Sequence, residues 1–177
     1  MRVRTVVLLS TLLLAFPLLA HDPQGYVPGE AIGVLHIEGE QIEVFSWSWG
    51  ATQSADTSVG AGGGAGRVQL QDFNFTKKVD KSSPILFKAC ATGKHISEAT
   101  LTARKAGKGQ QEYMVVKFTD LIVSSYQTGG SSGDSVPTES ISFAFGKVTI
   151  TYYVQDAKGK PAKGPQAFWD LRTVSKG

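Results

Sequence analysis

Alternation of apolar and polar side chains with a period of two is the dominant pattern along this chain. In residues 42–50 three aromatic rings alternate with serines, which places the rings on one face of a predicted β-strand. The next strand, residues 67–76, changes its apolar parity at Gln71, and a β-bulge there would explain the change. We predict that the aromatic side chains of these two strands anchor the core, namely Phe45, Trp47, Trp49, Phe73 and Phe75.

The same alternation predicts strands through most of the remaining chain. They cover residues 32–37, 98–104, 112–125, 139–145, 147–154 and 167–171. Asp120 interrupts the third of these runs and marks a bulge or a break. Gly146 resets the parity of the apolar positions, so the pattern directs four later side chains toward the core: Val148, Ile150, Tyr152 and Val154.

One segment has the signals of a helix. Ser83 is suited to the N-cap, Pro84 to the first helical position and Gly93 to the position just past the end. With about eight strands and one short helix, the pattern predicts a mainly β fold, an antiparallel barrel that is closed or nearly closed. The helix would plug one end of the barrel.

A glycine-rich stretch separates the two aromatic strands. It contains Val59, Gly60, Gly62, Gly63, Gly64 and Gly66. Glycine loses the most conformational entropy on ordering, so this stretch needs an outside contact to hold one conformation. An aromatic strand followed by such a loop is typical of a subunit that reaches across to another subunit.

The amino terminus has the pattern of a Sec-type signal peptide. Two arginines precede an almost unbroken apolar run from Thr5 to Ala20, after which the chain turns polar at His21. We predict a signal peptide at residues 1–20, a lead-in at 21–31 and a single domain at 32–177. The chain would then be periplasmic or extracellular, without stable membrane insertion; an uncleaved anchor is the alternative.

The motifs that resemble catalytic or ligand sites lack the context that such sites need. Residues 129–133 match G-x-S-x-G, but a strand follows them, and all three histidines precede Ser131. The glycines at 60–65 lead into a strand, so no helix N-terminus is available for a phosphate. His95 and Glu98 are too few for a metal site, and the lone Cys90 reads as a small buried residue. We therefore predict no enzyme, cofactor or metal.

Charge also excludes a partner class. The formal net charge is +3, and the basic residues are scattered without interleaved aromatic side chains that could stack on bases. Nucleic-acid binding is therefore not expected.

Three sequence blocks resemble the haemolysin-coregulated protein (Hcp) family, the tube proteins of type VI secretion. They are IEVFSWSWG at residues 42–50, FNFTKKVD at 73–80 and SPILFKACATGKHI at 83–96. Shorter matches continue in order at 103–107, 123–126 and 145–148, so the resemblance extends from Gly33 to Arg172.

The resemblance implies a β-barrel subunit with one helix that closes into a homohexameric ring. Rings of this family stack into a tube that a contracting sheath expels, with effector proteins in the lumen and a spike protein as a further partner. By this analogy, residues 59–66 are the first candidate for contact with a neighbouring subunit or ring. Two features depart from the family: the signal peptide and a shorter opening hairpin at 38–41. An alternative is therefore an exported relative that forms free periplasmic or extracellular rings without a sheath.

Overall fold

The computed structural model describes residues 31–55, 65–105, 111–133, 136–155, 161–173 and 175–176. The signal peptide predicted at residues 1–20 and nearly all of the lead-in predicted at 21–31 lie outside this range.

The described part consists of eleven strands and one helix. The strands are β1 Gly33–Ile37, β2 Glu40–Val44, β3 Ser46–Ser48, β4 Ala51–Ala55, β5 Ala65–Leu70, β6 Phe73–Lys78, β7 His95–Arg104, β8 Glu112–Gly129, β9 Thr138–Gln155, β10 Pro161–Asp170 and β11 Ser175–Lys176, and helix α1 is Ser83–Thr92. The predicted fold class, mainly antiparallel β with a single short helix, is confirmed. There are more strands than expected because the predicted strands at 42–50 and 67–76 are divided, the first at Phe45 and the second at Gln71 and Asp72, and because β4 and β11 are short additions.

Nine strands form one antiparallel sheet around the long strands β8 and β9. Its main path is β11, β10, β9, β8, β7, β1 and β2, and β6 joins β9 to β3. Strands β4 and β5 pair only with each other, as a separate two-stranded hairpin. The two predicted strands at 139–145 and 147–154 are one continuous strand, β9, which reaches β6 and β8 with its first half and β8 and β10 with its second.

The sheet curls toward a barrel that hydrogen bonds do not close in the described part. Two of its terminal strands, β2 and β3, lie on one chain segment with only Phe45 between them. The Phe45 N–H donates to the carbonyl of Thr76, 2.9 Å away, which starts the pairing of β3 with β6. The inward-facing parity shifts at this residue, from Val44 on β2 to Trp47 on β3.

Aromatic rings from three strands fill the interior. Phe73 lies 4.8 Å from Phe118 and 5.0 Å from Phe143, measured between ring centroids. Phe118 in turn lies 4.9 Å from Phe145. Tilted and edge-to-face rings at these separations add to the stabilisation from burial, so the cluster holds β6, β8 and β9 in fixed register.

Helix α1 begins one residue earlier than its sequence signals predict. Ser82 occupies the N-cap position, and the Asp80 carboxylate accepts from the Ser82 N–H at 2.8 Å. The predicted end is confirmed, since Gly93 is left-handed with φ 60°. Leu86 and Ala89 are buried against the sheet, whereas Ile85 is 37% exposed.

Asp120 interrupts β8 without ending it. Its φ is 63°, in the left-handed region that non-glycine residues seldom adopt. On the neighbouring strand, a Cβ at Gly146 would lie 2.8 Å from the Asp120 carboxylate, so only glycine leaves room for it. The predicted irregularity at Asp120 and the parity reset at Gly146 are therefore two halves of one local structure.

The apolar side of β9 emerges from the core sooner than predicted. Val148 is buried and Ile150 partly buried, but Tyr152 and Val154 are 46% and 43% exposed. The prediction that all four face the core was wrong for the last two, because alternation gives the face of a strand but not where the covering layer ends.

Within the described residues, no helix is long and apolar enough to cross a membrane.

Candidate interaction surfaces

An apolar groove opens beside the β4–β5 hairpin. It has a volume of about 210 Å³, and only apolar side chains line it. They come from the start of the hairpin, from β5, from β9 and from β10: Trp49, Ala51, Val68, Leu70, Val148, Ile150, Ala167, Phe168 and Trp169. We refer to these nine residues as the groove.

The sequence builds the groove by holding a hairpin over the sheet. The Gln71 N–H donates to the Gly50 carbonyl at 2.9 Å and fixes the base of the hairpin. Ala51 pairs with Leu70, so both side chains face the same way. Trp49 packs edge-on against Phe118 and anchors this end of the groove to the core. An apolar lining that is open at one side is a surface that gains stability when a partner removes it from water.

The predicted contact loop is only partly within the described residues. Val59 and residues 60–64 lie outside them, and Gly66 belongs to β5. The strands that carry the loop are β4 and β5, which also supply one wall of the groove.

The predicted core anchors occupy three different environments. Phe73 and Phe75 are fully buried, and Trp47 and Trp49 are partly buried against the core. Phe45 lies outside the core cluster, with the ammonium group of Lys78 5.2 Å from its ring centroid. A half-buried ring under a cation is a surface contact between neighbouring strands.

The opposite end of β6 leads to helix α1, whose exposed residues include both apolar side chains and Lys88. Phe87 is 58% exposed and contacts the ring of Tyr126 edge-on, with 5.7 Å between centroids. Ile85 is also partly exposed, but it lies two residues before Phe87 and therefore on the other flank of the helix. Ion pairs tie both ends of the helix to the β1–β2 hairpin: Lys81 with Glu40 and Lys94 with Glu38.

A buried ionic network beneath the helix was not foreseen from the sequence. The Lys77 ammonium lies 2.8 Å from Glu139, 3.0 Å from the Ser83 hydroxyl and 2.9 Å from Asp80. Lys77 and Glu139 are only 1% and 2% exposed. Lys77 has the same strand parity as Phe73 and Phe75, and this parity is the signal that could have placed it inside.

Tyr126 completes this network from β8. Its hydroxyl donates to the second carboxylate oxygen of Glu139. Burial, and then the hydrogen bond to the Glu139 carboxylate, raise the pKa of Tyr126 to about 12. Tyr126 is therefore neutral at physiological pH and acts as a hydrogen-bond donor. The network holds the helix against the sheet.

The outward faces of the sheet differ in charge. On β3, β6 and β9 short hydroxyl and amide side chains interact: Ser46 with Thr76 at 2.6 Å, and the Asn74 amide with Ser140 and Ser142 at 3.1 and 3.0 Å. On β7 and β8 the outward side chains include the ion pair of Lys117 with Glu98, 2.8 Å apart. The first face is dominated by neutral hydrogen-bonding groups, with Lys78 at the end of β6, and the second carries an ion pair.

The residues considered for metal binding serve other roles. His95 lies on β7, with its Nδ1 3.0 Å from the Asp120 carboxylate, and Glu98 pairs with Lys117. Among the described residues, no group of three or more His, Cys, Asp or Glu side chains could hold a metal ion.

Fold and surfaces together define a mainly antiparallel β protein with one helix and an open apolar groove beside a detached hairpin. Residues 24–152 match the family model described as "Type VI secretion system effector, Hcp". The chain therefore belongs to the Hcp family of type VI secretion proteins.

Individual relatives agree with this assignment. "Protein hcp1" of Pseudomonas aeruginosa is 44% identical over 150 residues, which cover 84% of this chain and 91% of the relative. A solved structure described as a type six secretion system protein has a TM-score of 0.74 at 28% identity, covering 83% of this chain and 99% of its own. Hcp1 from Salmonella typhimurium has a TM-score of 0.65 at 30% identity, covering 82% and 97%. The resemblance inferred from residues 33–172 is confirmed.

Proposed function

We propose that this protein is a structural subunit that assembles into homohexameric rings, which stack into the tube of a type VI secretion-like system. The observation that carries the proposal is the open apolar groove in a chain of the Hcp family. Two walls of the groove belong to the sheet and one to the detached hairpin, so a neighbouring subunit could bury all three at once. The proposed role requires no catalytic residue, cofactor or metal.

The hairpin loop is the proposed contact with the neighbouring subunit or ring. It comprises Val59, Gly60, Gly62, Gly63, Gly64 and Gly66. Backbone without side chains can approach another backbone closely, and a contact of that kind would offset the entropy lost when glycines are ordered. The strands that flank this loop, β4 and β5, supply one wall of the groove, and this supports the assignment.

Effector proteins in the lumen and a spike protein at the tube end are the partners we propose from the family. The hydroxyl and amide groups on the outward face of β3, β6 and β9 are suited to line such a channel. Hydroxyl and amide groups can hydrogen-bond to many protein surfaces without selecting for charge. A passing cargo would therefore be held weakly and released readily.

A second candidate function follows from the amino terminus. If residues 1–20 are a cleaved signal peptide, the chain leaves the cytoplasm by the general export route. It would then form free periplasmic or extracellular rings without a contractile sheath. The apolar run from Thr5 to Ala20 is the observation that favours this alternative.

The test is the solution mass of residues 21–177 by light scattering, combined with electron microscopy of the same sample. A mass of six subunits and ring-shaped particles are expected, with stacks of rings at higher protein concentration. A monomer over a wide concentration range would contradict the assembly proposal. Fractionation of cells that produce the full chain then separates the two candidates, because only the second requires processing at Ala20 and export without the secretion machine.

A further inference from the structure

The chain makes a turn directly after β10, and two contacts fasten this turn to the sheet. It consists of residues 171–173, which we call the C-terminal turn. The Leu171 N–H donates to the Gly146 carbonyl on β9 at 2.9 Å. The Arg172 guanidinium lies 2.7 Å from a carboxylate oxygen of Asp120 on β8. A backbone hydrogen bond and an ion pair therefore hold the C-terminal turn against two neighbouring strands.

The Asp120 carboxylate is shared between two cations. One oxygen lies 3.0 Å from Nδ1 of His95 at the start of β7, and the other faces Arg172, so the two contacts do not compete. Lys147 is also on β9, but its ammonium lies 4.7 Å from the ring centroid of Phe168. Arg172 and His95 are both exposed, and an exposed ion pair contributes little by itself. The contact is therefore strong enough to position the turn and weak enough to open.

The backbone of Asp120 directs its carboxylate toward the turn. Its φ of 63° is unfavourable for a residue with a side chain, and such conformations persist where the surrounding structure requires them. The neighbouring residues keep the register, since Thr119 pairs with Lys147 and Leu121 with Phe145. A Cβ at the intervening Gly146 would lie 2.8 Å from the Asp120 carboxylate. The carboxylate therefore lies over the backbone of β9, beside the C-terminal turn.

The residue pairs at the end of β10 connect the turn to the groove. Asp170 pairs with Lys147, and Trp169, which lines the groove, pairs with Val148. The Asp170 carboxylate accepts from the N–H groups of Arg172 and Thr173, at 3.0 and 3.4 Å, so the strand end and the turn are joined. Trp169 is thus two residues before the start of the turn's ion pair with β8, with Asp170 and Leu171 between them. A displacement of the turn would therefore move Trp169.

We propose that the ion pair of Asp120 with Arg172 is a latch that fixes the C-terminal turn and thereby sets the position of Trp169 in the wall of the groove. Asp120 acts as a positioning residue through Arg172. When the latch opens, the end of β10 is freed from β8 and the groove changes shape. The inference concerns the single subunit, so it does not depend on whether copies assemble.

Hydrogen exchange tests the latch. Asp120→Asn removes the charge but keeps a residue type that tolerates the left-handed backbone, and Arg172→Gln removes the cation. Each should speed amide exchange of residues 171–173 roughly threefold, and the double variant should do no more, because both changes remove one interaction. Arg172→Lys keeps the cation and should exchange as the wild type does. Glu98→Gln, which removes a carboxylate from the ion pair with Lys117, is the matched control.

A fluorine label reports on the groove. Fluorotryptophan gives one NMR resonance for each of the three tryptophans, and Trp169→Phe identifies that of Trp169. This resonance should shift in Asp120→Asn and in Arg172→Gln. Trp47, which stacks on Phe73 outside the groove, should keep its resonance in every variant.

The two measurements separate the parts of the proposal. Unchanged exchange in Asp120→Asn and Arg172→Gln, or additive effects in the double variant, would overturn the latch. Faster exchange with an unchanged Trp169 resonance would overturn its control of the groove.

Discussion

The two ends of β6 are held by different forces. At the helix end, Lys77, Glu139 and Ser83 form a buried network of hydrogen bonds and charges, and its partners are all supplied by the same chain. At the hairpin end, Trp49 and Leu70 contact apolar neighbours but leave a groove open to solvent. At the helix end, the polar groups therefore find all their partners within the subunit. At the hairpin end, apolar side chains remain exposed to solvent, where another copy could cover them.

This difference is expected from the energetics of the two kinds of contact. A buried charge without its partner costs several kcal/mol, so an ionic network has to be complete in the isolated subunit. An exposed apolar wall costs much less per residue, and the stabilisation is recovered on association. We therefore expect changes at the helix end to alter the stability of the subunit, and changes at the hairpin end to alter assembly.

The largest expected effect is the loss of one partner in the buried ion pair. Lys77→Met should lower the free energy of unfolding by about 4 kcal/mol, because it leaves the Glu139 carboxylate buried without its cation. Urea denaturation followed by tryptophan fluorescence measures the change. Lys77→Met with Glu139→Gln removes both charges and should recover most of the loss. If Lys77→Met were as stable as the wild type, the ionic network would not stabilise the helix end of β6.

The hydroxyl of Tyr126 gives the helix end a dependence on alkaline pH. Because the folded-state pKa of Tyr126 is about 12, against roughly 10 in an unfolded chain, the folded protein keeps a proton that the unfolded chain loses. The contribution of Tyr126 to stability is therefore complete below about pH 10 and falls as the pH rises toward 12.

Denaturation curves between about pH 9 and pH 12 measure this effect as the difference between the wild type and Tyr126→Phe. The variant is expected to be less stable at neutral pH, since Glu139 loses a donor, but to have a flatter alkaline profile. Tyr152→Phe, at an exposed tyrosine, is the matched control and should leave the profile unchanged. Parallel profiles for the wild type and Tyr126→Phe would contradict the assignment.

The sequence predicted best what depends on local pattern. The alternation on β6 placed Phe73 and Phe75 in the interior, and Gly93 marked the end of α1. The burial of Lys77 was not predicted, because its partner, Glu139, lies sixty-two residues away in sequence. Long-range pairs of this kind have no local signature.

The hairpin end was harder to predict for a related reason. Alternation assigned Val148, Ile150, Tyr152 and Val154 to one face, and the structure keeps this parity while burial decreases along it. Whether a given residue is covered depends on which strands pack above it, and in a subunit that cover can belong to another copy. The groove was therefore invisible in the sequence even though most of its residues had been assigned to strands.

The smallest expected effects come from replacing one glycine with alanine at the helix end and another at the hairpin end. Gly93 ends the helix with φ 60°, so Gly93→Ala should cost about 1–2 kcal/mol of unfolding free energy, because a side chain is strained in this region. At Gly50, beside the hairpin, an added Cβ would meet only the side chain of Gln71, 3.0 Å away, and that side chain is exposed and free to shift. Gly50→Ala should therefore stay within about 0.5 kcal/mol of the wild type, since the lost freedom of the unfolded chain offsets the contact.

Thermal and urea denaturation of the two glycine variants measure this pair under identical conditions. The same chemical change, one methyl group, is made at each end of β6, so a difference between them reflects the backbone and not the size of the substitution. Equal destabilisation would mean that the hairpin base is as tightly constrained as the helix end. In that case the two ends would differ in how much apolar surface they expose, and not in the rigidity of their backbones.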